Sequence, residues 1–408
     1  MLDSSPVLDR LPTEQKAPNL RIPAELRLMA ACCRWPPSPA RDEQVRQAAA
    51  GAIDWDGFGK LVGRHRVAAL VHDGLTRAGV EAPAPLAAKL AEEAGGIARQ
   101  NLLFAAECLR LETLFDALGH LFLKGVTLNM LAYGSLAYKQ AVDIDLLVAP
   151  GDYEAAIGLL RGAGYRCIVP GPEPATEEIL LWVKGHKHSN WMSPARLSLE
   201  LHAGLVDNPL LVQGLDADAP SQRVEVASGK FLPTLATEEL FAYLCAHGAA
   251  HGWARLKWLA DAAALVSHED GAGIERLHAR SVALGGGRSA GQALLLSSIL
   301  FGLELPPVLR AELEGDRGTR ILVRLAMRNF TLGGMGRELD ELMLGTAGIH
   351  LSYLLLERGT GFKLRQLKRT LLGGSSEGAP LAKRLLRPIA FIPRWLLRRA
   401  REARTVRR

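Results

Sequence analysis

The apolar positions follow two periods, and the change between them divides the chain. From residue 24 to 118 they recur at helical spacing. Leu26, Leu28 and Met29 open the series, and Asp54-Trp55 begins a helix whose Phe58, Leu61 and Val62 share a face. Residues 67–75, 86–97 and 102–118 continue it, with a break at Pro83 and Pro85. Over 122–148 the pattern shifts. A short apolar run ends at Leu123, Lys124-Gly125 interrupts it, 127–138 returns to helical spacing, and 142–148 is a β-branched and leucine-rich strand. Next come a helix over 152–162, a strand over 165–169 and a loop over 171–176 with prolines nearby. A hairpin of 187–192 with 196–202 turns at Ser193-Pro194. From Thr237 the spacing is helical again: a bend at Gly252 precedes 255–266, and 290–303, 309–327 and 339–356 are helical. This order predicts an α+β chain in which a core over 119–235 lies between helical lobes over 23–118 and 236–372. Residues 1–22 read as a loose arm, and 373–408 as a linker and basic amphipathic tail.

The candidate chemistry sits on the strands. Asp143 and Asp145 are two apart, so both carboxylates share one face while Ile144, Leu146 and Val148 turn to the core. Two like charges side by side are unfavourable without a cation between them, which makes the pair a candidate site for a hard divalent ion such as Mg²⁺. In the hairpin's second arm Leu197, Leu199 and Leu201 take one face and Ser198, Glu200 and His202 the other. Glu200 is thereby positioned to complete a three-carboxylate set. His247 and His251, four apart, share a helical face. Metal ligation, packing and the lining of a pocket are all open to them, and no glutamate between them makes a metalloprotease motif. His65 and His72 read as packing or surface residues. The run Gly285-Gly286-Gly287 lacks the Gly-Lys-Ser ending and the preceding strand of a phosphate loop, and reads as a connection between helices.

Residues 122–148 read FLKGVTLNMLAYGSLAYKQAVDIDLLV. Their order of strand, Lys-Gly, helix and Asp-Ile-Asp-Leu-Leu-Val resembles the catalytic opening of the DNA polymerase β-like nucleotidyltransferase superfamily. Within it, the likeness is to the bacterial group of uncharacterised nucleotidyltransferases. SLELH at 198–202 is similar to that group's Glu-Leu-His strand, and HGAAHGWARLKWLAD at 247–261 to its helical segment. The resemblance implies a small mixed β-sheet core. It also implies transfer of a nucleoside monophosphate from a nucleoside triphosphate (NTP) to an unidentified small-molecule, saccharide or peptide acceptor. In this reading Asp143 and Asp145 bridge two Mg²⁺ ions, and Glu200 binds the ion that activates the acceptor or acts as its base. Gly125 lets the backbone approach the β and γ phosphates, with Lys124 and Thr127 supplying a charge and a hydroxyl. His247, His251, Arg255 and Lys257 fall to the nucleotide by the same resemblance, and Asp261 to orienting one of them. Lys139 stands where many relatives carry arginine, which keeps the charge and loses the bidentate fork. The alternatives are a catalytically weak relative serving as an adaptor, and a toxin-like transferase acting on tRNA.

Composition alters little of this, but charge does. The 48% apolar and 23% charged content of the 408 residues is that of an ordinary globular chain. No apolar run approaches the ~18 residues of a spanning helix, and the N-terminus has no signal-like apolar stretch, so a cytoplasmic protein is expected. Residues 381–408 hold ten Lys or Arg and one Glu, a balance of +9 that leaves the other 380 residues at −3. A nucleic-acid footprint spread over a folded face is therefore not expected. In the tail, Leu, Ile, Phe and Trp395 alternate with arginines, as in a helix lying on an anionic membrane surface. A nucleic acid, an acidic partner or a solvated tail interrupted by Pro388 and Pro393 are the other readings. The five cysteines form no CxxC pair and read as buried thiols.

Overall fold

The computed structural model describes residues 22–331 and 347–372. The expected arm, save Ile22, and the whole 373–408 linker and tail lie outside the described residues. The strands are β1 (His120–Phe122), β2 (Ile144–Val148), β3 (Arg166–Val169), β4 (His188–Met192) and β5 (Ser198–His202), which form a mixed sheet in the order β1-β2-β5-β4-β3. The central pair, β2 with β5, is parallel and the others are antiparallel. Parallel neighbours need a crossover, which the helices Tyr153–Gly162 and Thr176–Gly185 and the strands β3 and β4 supply. The chain is thus α+β, with helices before and after a small mixed sheet. A second hairpin, β6 (Ser221–Ala227) with β7 (Lys230–Leu235), was not among the expected elements.

One face of the sheet is dry. Ile144, Leu146 and Val148 of β2, Leu199 and Leu201 of β5 and Trp191 of β4 pack with Phe104, Cys108 and Leu111 of helix Ala84–Leu114 and with Tyr153. Burying each of the larger side chains contributes about 2–3 kcal/mol. The Tyr153 hydroxyl satisfies itself by donating to the Leu201 carbonyl at 2.7 Å. Because strand side chains alternate, this core turns Asp145, Glu200 and His202 to the other face. A second core joins helices from both ends of the described chain: Leu26, Phe58, Val62 and Leu70 pack in one cluster with Phe241, Leu256, Leu294 and Phe330, and with Leu121, Leu123 and Leu147 of the sheet region.

Polar groups buried in the second core tie those helices together. Helix Trp55–His65 starts at Asp54, whose carboxylate accepts from the Gly57 N–H at 3.1 Å. At its other end Arg64 donates to the carbonyls of Asn329 (2.8 Å) and Phe330 (3.2 Å). His65 Nδ1 accepts from the Leu256 N–H at 2.9 Å, so Nε2 carries the proton and donates to Phe330 O at 3.2 Å.

Several elements differ from their expected bounds for physical reasons. Ala84–Leu114 is one 31-residue helix rather than two. Burial of Leu90, Ile97, Phe104 and Leu111 along one side outweighs Gly95-Gly96, at about 1 kcal/mol per glycine. The helix expected over 127–138 runs only Val126–Tyr133, because Gly134 caps it at φ 64. The span 309–327 divides into Pro307–Gly315 and Arg317–Thr331, where the Asp316 carboxylate accepts from Thr319 N–H at 2.8 Å. All five cysteines are free and buried. No helix among the described residues is long and apolar enough to cross a membrane.

Candidate active site

The polar face of the sheet opens on a cavity of about 290 Å³. Strand register builds it. Asp145 of β2 lies directly opposite Glu200 of β5, and His202 follows on the same face. Asp143, one residue before β2, also lines the cavity, so the three carboxylates meet in one space. The turn after β1 brings in Lys124 and Gly125. Gly125 adopts φ 67, ψ −117, a region closed to side-chain-bearing residues, and passes close to the Asp143 carbonyl. Helix Val126–Tyr133 starts there.

The loop carrying Lys139 is pinned by two buried asparagines. Asn129 Nδ2 donates to Lys139 O at 2.8 Å and its Oδ1 accepts from Lys139 N–H at 3.0 Å. Asn101 donates to the same carbonyl at 2.8 Å and accepts from Ala141 N–H at 3.0 Å. These bonds fix the segment leading into Asp143. Opposite, Lys257, Trp258 and Asp261 come from helix Leu256–Val266, and His247 from helix Thr237–Ala250 with His251 at its cap. His251 stacks on Trp258, ring centroids 5.1 Å apart, and His247 meets the same indole edge-on at 5.6 Å. Arg66 reaches the cavity wall from a left-handed cap, φ 55, which costs on the order of 1 kcal/mol.

Charge crowding dominates the cavity. Asp145 is buried, with Oδ1 3.0 Å from Lys124 Nζ and 3.2 Å from His202 Nε2. Burial opposes its ionisation, but the lysine and the histidine outweigh that and hold the carboxyl well below the usual range. Burial likewise opposes charge on Lys124, and Asp145 again prevails, raising the ammonium's pKa. His202 faces three oxygen partners: Asp145, Glu200 Oε2 at 3.2 Å and Gly204 O at 3.3 Å. Burial disfavours its charge, but the two carboxylates raise its pKa. Glu200 is lowered: the His202 bond overcomes the effect of burial. Asp143 behaves in the opposite way, pushed up by burial and then by the Asp145 charge. Among the bases, burial and then neighbouring Lys139 push Lys257 down to about 7. Burial and then Lys187 push His251 down to about 4. His247 is lowered further, chiefly by burial. Asp261, raised by burial, accepts from the Tyr133 hydroxyl at 3.0 Å and faces Lys139 Nζ at 3.9 Å.

Of the residues singled out in the sequence, Asp143, Asp145, Glu200, Lys124, Gly125, Lys139, His247, His251 and Lys257 all line this cavity. Two do not. Thr127 is fully buried beneath the turn, and its hydroxyl donates to Phe122 O and Lys124 O, both at 3.3 Å. Two residues past Gly125, its side chain turns back onto the turn it closes, so it supports the turn instead of reaching a ligand. Arg255 precedes helix Leu256–Val266 and donates to Arg64 O at 2.7 Å, tying helices together. His202, His188, Asn101 and Asn129 received no role from the sequence. A signal existed for two: Asn101 interrupts the buried stripe of Ile97, Phe104 and Ala105, and His202 shares a strand face with Glu200.

The donor set suits a hard cation. Three carboxylates converge, with Lys124 and His202 paired to Asp145 and with Asp143 raised by burial and by the Asp145 charge, so oxygen ligands for Mg²⁺ are present without rebuilding the sheet. A family model described as an uncharacterised nucleotidyltransferase matches residues 51–302, a span that takes in the whole sheet and the helices walling the cavity. No curated protein and no solved structure matches the chain.

Proposed function

The chain belongs to this family of uncharacterised nucleotidyltransferases, and from that premise we propose that it moves a nucleoside monophosphate from an NTP to an acceptor with Mg²⁺ held by Asp143, Asp145 and Glu200. The observation that carries the reading is the meeting of these carboxylates in a cavity that also holds Lys124, Lys139 and Lys257. Mg²⁺, when bound, neutralises triphosphate charge and acidifies an acceptor hydroxyl. The chain's own groups supply the rest. Gly125 exposes backbone at a helix start, where N–H groups favour an anion. Lys139, fixed through its own backbone by Asn101 and Asn129, presents a cation to the phosphates. Lys257 is half protonated near pH 7, so a triphosphate beside it draws the proton on and converts a neutral amine into a counter-charge. Glu200 takes the acceptor proton or helps to hold the metal. The stacked His251 and Trp258 rings offer an aromatic surface suited to a base or other planar group.

The test is calorimetric titration of each of the four ribonucleoside triphosphates, with and without Mg²⁺, into the wild type and the Asp143→Ala/Asp145→Ala double variant. Binding that depends on Mg²⁺ and weakens at least 100-fold in the variant, about 2.7 kcal/mol, is the expected result. A folded wild type that binds none of the four with Mg²⁺ overturns the reading in favour of an adaptor.

A further inference from the structure

Beside the three carboxylates lie two histidines that the transfer reading leaves idle. His188 of β4 and His202 of β5 are cross-strand partners with ring centroids 4.9 Å apart, and Glu200 stands two residues before His202 on the same face. One ligand atom from each of His188, Glu200 and His202 falls within 4.8 Å of the others. Glu200 Oε2 is 3.2 Å from His202 Nε2, and Oε1 is 3.7 Å from His188 Nε2. A four-coordinate ion with bonds of about 2.0–2.2 Å sets its ligand atoms roughly 3.4 Å apart, so small side-chain adjustments close the site.

Two further observations point to an ion. His202 Nδ1 faces the Gly204 carbonyl at 3.3 Å, the backbone contact by which metal sites hold an imidazole with its other nitrogen toward the metal. At His188, Nδ1 is buried without a hydrogen-bond partner, and Nε2 stands 3.7 Å from Glu200 Oε1, beyond hydrogen-bond length. An ion at Nε2 gives this imidazole the partner that Glu200, at 3.7 Å, does not provide. Asp145 Oδ1, 3.2 Å from His202 Nε2, is within reach as a fourth ligand.

We propose that His188, Glu200 and His202 form a binding site for a divalent transition-metal ion of the Zn²⁺ class. Imidazole nitrogens favour such ions, whereas Mg²⁺ takes oxygen ligands and keeps its waters. The site shares Glu200 with the carboxylate set, but it concerns binding of the metal alone and stands whether or not nucleotide transfer does.

The experiment titrates ZnCl₂ and MgCl₂, without nucleotide, into the full-length protein freed of metal. One Zn²⁺ is expected to bind at least 100-fold more tightly than Mg²⁺, and His188→Ala to weaken it at least tenfold. His188 lies at the cavity edge, so this variant keeps the test valid if His202→Ala fails to fold. Co²⁺ in place of Zn²⁺ is expected to give the visible absorption of a nitrogen-ligated ion, lost in His188→Ala. Zn²⁺ binding no tighter than Mg²⁺ binding, or unchanged in His188→Ala, overturns the proposal. So does loss of Zn²⁺ in His247→Ala instead, which moves the ion to the His247 and His251 pair, whose rings lie 4.8 Å apart. The two readings fail separately: nucleotide binding lost with zinc binding intact sinks only the transfer proposal, and the reverse sinks only this one.

Discussion

Two regions of the molecule bury ionisable side chains, and they do so in opposite ways. Where helix Trp55–His65 meets Leu256 and Phe330, Arg64 and His65 are held by hydrogen bonds to backbone groups. In the cavity, like charges crowd one another: Asp143 against Asp145, and Lys257 against Lys139. The first arrangement draws its partners from the folded chain and serves the fold. The second keeps like charges together despite the pairs Asp145–Lys124 and Asp261–Lys139, and gains further favourable partners when something of opposite charge enters. Burial alone therefore does not mark a functional residue; burial with an unresolved charge conflict does.

If that contrast holds, substitutions in the helical junction cost stability, and substitutions in the cavity cost little or add to it. The largest effect is expected for Arg64→Ala. It removes two charge-assisted bonds to backbone carbonyls, of which Phe330 O keeps its bond from His65, a loss of about 3 kcal/mol in urea unfolding. A loss under 1 kcal/mol would show that the junction is not a stabilising device.

The second prediction concerns acid. Burial, with Arg64 adding to it, pushes His65 down to about 3 from its ordinary 6.5. Between those values the unfolded chain binds a proton that the folded chain refuses, so stability present above pH 6.5 drains away as pH falls toward 3. For one such group the loss reaches about 2 kcal/mol by pH 5. His65→Gln is expected to be less stable at pH 7 and to show a shallower decline between pH 6.5 and 5. Parallel pH profiles for the two proteins would assign the acid sensitivity to other groups.

How much of this was legible beforehand follows from the same contrast. Asp143, Asp145 and Glu200 could be read because alternation along a strand is a local rule, and the apolar residues between them announce which face is dry. Lys124-Gly125 could be read because a glycine after an apolar run marks a turn. Thr127 and Arg255 show where local reading stops: each has the chemistry of a phosphate ligand, and each is turned away by contacts made in three dimensions. The cross-strand approach of His188 to His202 depends on the register of the β4–β5 hairpin, which a one-residue slip would destroy. The single helix Ala84–Leu114 owes its continuity to burial of Leu90 in the helical core and of Phe104, Cys108 and Leu111 against the sheet, which outweighs its glycines and is not written in helix propensity.

The third prediction turns to the cavity. Lys257 holds its proton in the unfolded chain up to about the ordinary lysine value of 10.5, but in the fold only to about 7. Between those values the unfolded chain binds more protons, so this group's contribution to stability rises with pH across that window and is most unfavourable below pH 7. Lys257→Met is expected to stabilise the metal-free protein by about 1–2 kcal/mol at pH 6, the gain fading by pH 10. Asp261 keeps Tyr133 and Lys139 as partners throughout. A destabilised Lys257→Met at pH 6 would move this lysine into the structural class.

The smallest effect sharpens the comparison most, because its sign should depend on the ligand. Asp143 is a half-buried carboxyl raised by burial and then by the like charge of Asp145. Asp143→Asn keeps its volume and removes the repulsion, so the metal-free variant is expected to match the wild type or exceed it by no more than about 1 kcal/mol. With Mg²⁺ and a triphosphate present, the order should reverse. A ligand that binds only the folded state stabilises it by an amount set by its concentration relative to Kd, about 2.7 kcal/mol at one hundred times Kd. The wild type should take up that stabilisation and the variant should not. Thermal unfolding of both proteins, with and without Mg²⁺ and triphosphate, makes the comparison. If Asp143→Asn loses stability in the absence of ligand, the carboxylate is part of the fold's own bonding and the distinction between the two regions fails at the residue on which it bears hardest.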